Sequence, residues 1–379
     1  MTPIAVGTAA ADTPEPTPAP LISAANAIPE SCILTLDKSV SPATVAEALG
    51  VKAKFTYRSA LHGFSATLTE KQLKLARHTR GVLSVAQDGL VTGPPVPASG
   101  AMTKAPSNSW GLDRIDQREL PLDLQFSPNT SGQGATAYIL DSGIEFAHTE
   151  FGGRAVPGFD AIGDGLNGGD CHGHGTHVAA TVGGETFGVA HKVRLVSVRV
   201  LGCDNRGAWS GIIAGLDWVA SHARQPAVLN ASLGGDRFEP VNTATAALFD
   251  RGVLPIVAAG NDNRDARLVS PASTRKAVTV GATNRDDQET DFSNWGELLD
   301  LYAPGQDIIS ARRTGGSVSM SGTSMAAPHV TGVAALYKAV HPNARPAEVA
   351  NFLKNEATED VVQNLSDNSP DKLLFTNGL

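Results

Sequence analysis

Ser324 lies in the run Ser321-Gly322-Thr323-Ser324-Met325-Ala326-Ala327-Pro328-His329, where small residues lead into an apolar, helix-forming stretch. A hydroxyl at a helix N-terminus sits among free backbone N–H groups that favour developing negative charge, as attack on a carbonyl requires. The same placement suits a serine that only caps the helix. Two further segments bear on the choice. Ala137-Tyr138-Ile139-Leu140-Asp141-Ser142-Gly143 reads as a buried parallel strand with a carboxylate at its C-terminal end, where open α/β sheets place their chemistry. Cys171-His172-Gly173-His174-Gly175-Thr176-His177 precedes the small residues Val178-Ala179-Ala180, which should be helical. Three close histidines also admit a zinc site, although no other Cys/His cluster supplies the remaining ligands.

In chain order, Asp141, His174 and Ser324 follow the subtilisin arrangement of the Ser-His-Asp triad. The segments Trp110-Gly111-Leu112-Asp113-Arg114-Ile115-Asp116-Gln117, Gly173-His174-Gly175-Thr176-His177, Ala258-Ala259-Gly260-Asn261 and Gly322-Thr323-Ser324-Met325-Ala326 resemble those of the subtilisin-like serine proteases. More narrowly they resemble the proteinase K and aqualysin branch, and the resemblance spans nearly all of residues 106–379. It implies an α/β fold of three layers around a central parallel sheet, and a serine endopeptidase. Ser324 would attack the scissile carbonyl and His174 would take its proton and pass it to the leaving amine. Asp141 would orient the imidazole, and Asn261 would donate to the oxyanion beside the Ser324 N–H. Without a triad, Asn261 reads as a turn asparagine. Two rival functions remain: an α/β esterase, against which the missing GxSxG elbow counts, and a stable inhibitor complex, against which four catalytic residues count.

The resemblance also places substrate. Ser232, Leu233 and Gly234 on one side, and Gly207 and Trp209 on the other, belong to two edge segments between which an extended peptide is added as a strand. Ala258, Gly260 and Ala266 fall around the primary specificity pocket, and their small uncharged side chains imply an apolar or aromatic preference before the scissile bond. Asp262 and Asp265 nearby keep a basic preference open. Trp209 admits two readings, the wall of a more distant apolar subsite or simple packing.

Cys171 and Cys203 stand where the aqualysin group has a disulfide; the positions of that group's second bridge hold Arg267 and Leu298. The alternative is a pair of free core cysteines. An extracellular, oxidising destination follows from the disulfide. Calcium is the expected ion and no organic cofactor is expected. Asp113, Asp116, Asp123 and Gln117 match a calcium loop of the relatives, with Gln125 in place of an asparagine. The Asp300 carboxylate with the carbonyls of Arg275 and Ala277 forms a second candidate. Asp160, Asp164 and Asp170 form a weaker third, and for each the alternative is a solvated acidic turn.

The elements that must position these residues fill 379 residues, enough for a large α/β domain and a smaller piece without staples. A net charge of −8 argues against nucleic acid as a partner, and no apolar run is long enough to span a bilayer. The expected partners are protein and peptide substrates, with the chain acting as a monomer. Residues 1–27 read as the remnant of a secretory signal, truncated or following a misplaced start, and a proline-rich linker. Residues 28–92 follow a strand, helix, two strands, helix, strand order, a small ferredoxin-like α+β sheet. The strands are expected at 32–36, 55–57, 64–68 and 82–85, with helices over 42–49 and from Glu70. His62-Gly63-Phe64-Ser65-Ala66-Thr67-Leu68 with Glu70-Lys71-Gln72-Leu73 resembles the inhibitory propeptide of these proteases. Cys32 would leave with it. Residues 93–105 read as a cleavable Pro/Gly-rich connector, with maturation near Thr103 and Met102 in the active site beforehand, and residues 106–379 as the protease domain.

Overall fold

A computed structural model of the chain describes residues 17–94 and 109–379. The leader reading as far as residue 16 and the cleavage near Thr103 fall on residues outside these, whereas within the stretch read as linker Leu21–Ile22 forms a strand paired with Val85 and Ala86.

The N-terminal unit runs β1 (Leu21–Ile22), β2 (Ala27–Leu36), α1 (Pro42–Ala48), β3 (Phe55–Tyr57), β4 (Gly63–Thr67), α2 (Glu70–His78) and β5 (Val82–Thr92). Pro42 starts α1 at a position that needs no N–H, and Thr69 with Gln72 forms a capping box at α2. The sheet order β1-β5-β2-β4-β3 has antiparallel neighbours from β5 to β3, the ferredoxin-like arrangement. Alternation divides the sheet's two faces. Leu34, Leu36, Phe64 and Val85 pack under α1 and α2 with Val45, Leu49 and Ala76, while Ile33, Tyr57, Ala86 and Val91 join the core of the larger unit.

The larger unit continues with α3 (Trp110–Ile115), β6 (Thr136–Asp141), β7 (Ala155–Asp160), α4 (His174–Gly183), β8 (Arg194–Arg199), β9 (Arg206–Ala208), α5 (Trp209–His222), β10 (Ala227–Ala231), β11 (Gly235–Asp236), α6 (Glu239–Asp250), β12 (Leu254–Ala258), β13 (Val269–Ser270), β14 (Val278–Thr283), β15 (Leu301–Pro304), β16 (Ile308–Ala311), β17 (Ser317–Met320), α7 (Thr323–Val340), α8 (Pro346–Asn355), β18 (Thr358–Glu359) and β19 (Lys372–Leu373). The central sheet is ordered β18-β19-β15-β14-β12-β10-β6-β8-β7, and only the β18–β19 pair is antiparallel. Its middle strands are buried along their whole length, so their sequences are mainly apolar rather than alternating. Ala137, Ile139, Val228 and Ile256 face the core of α4 and α7, whereas Tyr138, Leu140, Leu229 and Val257 face α5. This is the expected three-layer α/β architecture.

Two features were beyond local pattern. β5 runs on to Thr92 because it pairs antiparallel with β9 of the larger unit, Leu90 opposite Ala208 and Thr92 opposite Arg206. α7 is apolar nearly all round because it passes through the interior, leaving only Tyr337, Ala339 and Val340 less than buried.

Candidate active site

Asp141 ends β6 and is fully buried. Its Oδ1 accepts the Ser142 N–H at 2.7 Å and lies 2.7 Å from His174 Nδ1. His174 is the first residue of α4, and the first turn of that helix comes close to the strand end because residue 175 is glycine. A Cβ there would lie 2.2 Å from the Gly143 carbonyl oxygen. Since the carboxylate can only accept, Nδ1 carries the proton and Nε2 keeps a lone pair. Burial disfavours the charged ring, but the Asp141 charge and hydrogen bond, with Asp170 beyond, outweigh it and raise the His174 pKa.

Ser324 is the second residue of α7, where backbone N–H groups lack intrahelical acceptors. Pro328 cannot donate to the carbonyl four residues before it, which is that of Ser324; the Ser232 hydroxyl donates to that oxygen at 2.9 Å and ties the helix to the end of β10. The Ser324 hydroxyl donates to the Ser232 carbonyl at 3.2 Å, and His174 Nε2 has no hydrogen-bond partner among the described residues. Asn261 follows β12. Its Oδ1 accepts from the Thr323 N–H at 2.8 Å and hydroxyl at 2.9 Å, so the amide NH2 is the end left for a ligand.

The chain's own segment enters this cleft. Beyond the β5–β9 pairing, Gly93 N–H donates to Asn205 O at 2.8 Å and Asn205 Nδ2 donates to Pro94 O at 2.7 Å. Thr92, Gly93 and Pro94 line a cleft of about 290 Å³ with Leu233, Gly234, Gly235, Ala258, Gly260, Asn261, Asp262, Val269, Thr323 and Ser324. Ala266 lies behind it in a cluster with Ala259 and Val269. Gly207 stands opposite Val91 in the β5–β9 register. Trp209 is buried, stacks on Phe238 at 5.7 Å, and shares its cluster with Val91 and Leu233. Both acids that kept a basic preference open carry arginines: Asp262 is 3.3 Å from Arg264 and Asp265 is 2.6 Å from Arg267.

Two carboxylates lock the smaller unit down. Asp88, fully buried, accepts from Ser210 N–H in the first turn of α5 at 3.0 Å and from the Ser31 hydroxyl at 3.0 Å. Asp217 accepts from Arg58, Ser59 and Ala60 N–H at 2.9, 2.6 and 2.7 Å.

Cys171 and Cys203 are disulfide-bonded with Cα atoms 4.9 Å apart, and Cys32 is free and buried. A loop of 32 residues corresponds to about 3–4 kcal/mol in the chain-entropy account. Among the described residues, the one group of three metal-ligating side chains with atoms within 4.8 Å of each other is Asp164 with these two cysteines, whose sulfurs are already bonded.

The calcium candidates look different from one another. Asp113 is buried and accepts from Asp123 and Leu124 N–H at 3.3 and 3.0 Å, while Gln117 Oε1 accepts from Asp123 N–H at 3.2 Å. Asp123 Oδ1 accepts from Gln125 N–H at 2.9 Å. Burial first, then the charges of Asp123 and Asp113, push Asp116 up to about 6. These oxygen donors are of the kind a hard divalent cation takes, although the three carboxylates do not all come within 4.8 Å of one another. At the second candidate, Asp300 accepts from Thr279 N–H at 2.9 Å, and its other oxygen lies 3.2 Å from the Lys354 ammonium. A lysine already supplies positive charge at Asp300, so the donor set of Asp300 with the Arg275 and Ala277 carbonyls fits calcium poorly.

Some important residues were not legible as such. Asp160 and Asp164 pair with the fully buried Arg199 at 3.1 and 2.6 Å, which holds Asp164 down to about 2. Asp170 binds backbone N–H groups at the start of α4. His177 Nε2 lies 3.1 and 3.2 Å from the carbonyls of Ile308 and Val318, and burial pushes its pKa down to about 3.

With this geometry in view, similarity to known proteins becomes specific. A model of the Subtilase family (Peptidase S8) matches residues 132–374, and one of Peptidase inhibitor I9 matches residues 30–92. An extracellular serine proteinase of Thermus sp. (strain Rt41A) is 46% identical over 329 residues, 86% of this chain and 78% of that protein. Alkaline serine exoprotease A of Vibrio alginolyticus is 44% identical over 86% of this chain and 60% of its own length. The crystal structure of a cold adapted subtilisin-like serine proteinase is 47% identical, with a TM-score of 0.69 over 70% of this chain and 97% of that one.

Proposed function

The chain belongs to the subtilase family of serine proteases and carries an inhibitor I9 propeptide, and from that premise we propose a secreted, self-processing endopeptidase of broad specificity. The observations that support this reading are the buried Asp141–His174 pair at 2.7 Å, with no partner on Nε2 among the described residues, and the cleft that Ser324 and an amide-presenting Asn261 line.

Rotation of the Ser324 hydroxyl from Ser232 O toward His174 Nε2 creates the nucleophile, and the imidazolium formed on attack is stabilised by Asp141. The developing oxyanion is met by the Ser324 N–H at the start of α7 and by Asn261 Nδ2. The imidazolium then protonates the leaving amine, and water repeats the sequence on the acyl-enzyme.

Substrate binds as β5 does, by backbone pairing to residues 206–208, which makes sequence tolerance broad. Gly234, Ala258 and Gly260 line the cleft, and Asp262 and Asp265 are matched by arginines, which favours an apolar or aromatic residue before the scissile bond. Val91 against Trp209 supports the apolar-subsite reading of that tryptophan. Calcium would be held by the loop of Asp113, Asp116, Gln117, Asp123 and Gln125 and would act on stability, outside the chemistry. A relative named as extracellular and the disulfide support secretion.

The test follows the mass of the full chain in calcium and assays a peptide amide with phenylalanine before the scissile bond, with Ser324→Ala as control. Loss of roughly a hundred residues with Ser324-dependent amide cleavage supports the reading. An intact mass without activity favours the locked inhibitor complex, and ester without amide cleavage favours the esterase.

A further inference from the structure

α4 starts on a residue that cannot cap it. Gly173 stands at the N-cap with no side chain, yet the next residue, His174, must be held in one orientation. The missing cap comes from Asp170. Its Oδ1 accepts the N–H groups of His172 and Gly173, both at 2.9 Å, and its Oδ2 accepts the Thr176 N–H at 2.9 Å and hydroxyl at 2.6 Å. Ser142 joins this cap to the strand end. Its hydroxyl donates to Asp170 Oδ1 at 3.1 Å and accepts the Gly175 N–H at 2.9 Å. Its own N–H donates at 2.7 Å to the Asp141 oxygen that binds His174 Nδ1. Ser142 is fully buried and Asp170 is 9% exposed, so water cannot stand in for either.

We infer that Asp170, acting through Ser142, is a positioning residue: it fixes the Asp141–His174 pair from both sides and supplies a second negative charge beside the imidazolium formed during catalysis. Neither residue touches substrate. The inference rests on the triad reading above. The charges at His174 are those of Asp141 on β6 and Asp170 in the preceding loop; the neighbouring His172 in that loop and His177 on α4 are both held below the ordinary histidine range by burial, so removing Asp170 leaves one carboxylate at the ring. The direction is fixed: less negative charge means a less basic ring.

The test measures kcat and KM per titrated active site, and the pH profile of kcat/KM on a peptide amide, for the full chain activated in calcium. Asp170→Asn should lower kcat at least tenfold with KM within about twofold, and should move the acid limb of kcat/KM to lower pH. Ser142→Ala should lower kcat several-fold in the same pattern. A purely structural role would lower the melting temperature or the titratable fraction and leave both kcat per site and the acid limb in place, which overturns the inference. If Asp170→Asn does not fold, Ser142→Ala decides alone: kcat per site within twofold of the parent overturns it. Amide cleavage surviving His174→Ala overturns the triad reading and this inference together. Cleavage lost in His174→Ala but unchanged in both other variants overturns this inference only.

Discussion

Asn261 Oδ1 accepts both the N–H (2.8 Å) and the hydroxyl (2.9 Å) of Thr323, so the residue before Ser324 decides which end of the Asn261 amide faces the cleft. The prediction is a graded loss. Asn261→Ala should lower kcat by about a hundred- to thousand-fold with little change in KM, a magnitude established for a subtilisin oxyanion-hole asparagine and not obtained from this chain. Asn261→Asp keeps the acceptor for Thr323 but turns a second oxygen to the oxyanion, and should be at least as damaging. Single-turnover kinetics on a peptide amide check both; equal kcat for Asn261→Ala and the parent removes Asn261 from the site.

The positions proposed as catalytic each stand in a short local signal: Asp141 at the end of an apolar run, His174 before small helical residues, Ser324 at a helix start. The strand, helix, two strands, helix, strand order of residues 28–92 was likewise enough to place the small sheet, while the split of Leu34 from Ile33 between its two faces emerged only with the fold. What escaped depends on pairing over long separations. Arg114 is fully buried because Asp287, 173 residues on, binds it in two hydrogen bonds of 2.6 and 2.9 Å. Arg199 and Asp164, or Lys354 and Asp300, are similar: each half looks like a surface charge until the fold brings its partner. Asp170 looked like part of an acidic turn for the same reason, since the N–H groups it caps cannot be seen in a residue pattern.

Buried histidines predict how stability responds to acid. Burial pushes His177 down to about 3 and His329 down to about 4, so both stay neutral when folded and take up protons on unfolding between those values and the ordinary 6.5. Stability is therefore present above pH 6.5 and is lost as pH falls, with a slope of about 2.7 kcal/mol per pH unit for two protons. His329→Gln should flatten that slope by about 1.4 kcal/mol per unit. Denaturant melts of the Ser324→Ala protein from pH 4.5 to 7, with and without the substitution, check it. An unchanged slope means that His329 is charged when folded.

Calcium binding at Asp113, Asp116 and Asp123 should compete with protons. Because Asp116 is raised to about 6, the site is ready for a cation above that pH and loses affinity as pH falls through it. Chelator should lower the melting temperature by several degrees at pH 7.5 and by much less at pH 5. Asp116→Asn should remove most of the difference at pH 7.5. The same chelator effect at both pH values argues against this loop.

At Asp300 the expected result is the reverse. Burial raises the carboxyl pKa, and Lys354 at 3.2 Å offsets part of that. Lys354→Met leaves a buried carboxylate without its cation, so stability in chelator should fall by about 1–3 kcal/mol. Calcium should then restore more of the melting temperature in Lys354→Met than in the parent, provided Asp116→Asn is present in both. Equal calcium responses would mean that the Arg275 and Ala277 carbonyls and Asp300 do not form a cation site even when the lysine is gone.

Asp217 concentrates three propeptide N–H groups, those of Arg58, Ser59 and Ala60, on one oxygen at 2.6–2.9 Å, and does so on α5, away from the cleft. Hydrogen bonds to a charged acceptor contribute about 1.5–3 kcal/mol each when isolated. Three on one half-exposed carboxylate act as a unit, so about 2 kcal/mol in all is a reasonable scale, which is roughly thirtyfold in affinity. Asp217→Ala in the mature enzyme should therefore raise the inhibition constant of added propeptide about thirtyfold and leave kcat/KM on a short peptide unchanged. Asp88 gives the contrast. It belongs to the propeptide and caps α5 at Ser210, so Asp88→Asn should weaken inhibition from the other side of the same contact. Combining the two variants should give additive losses, because the carboxylates serve different N–H groups. An inhibition constant unmoved by Asp217→Ala would mean that strand pairing between β5 and β9 holds the propeptide without help from this carboxylate.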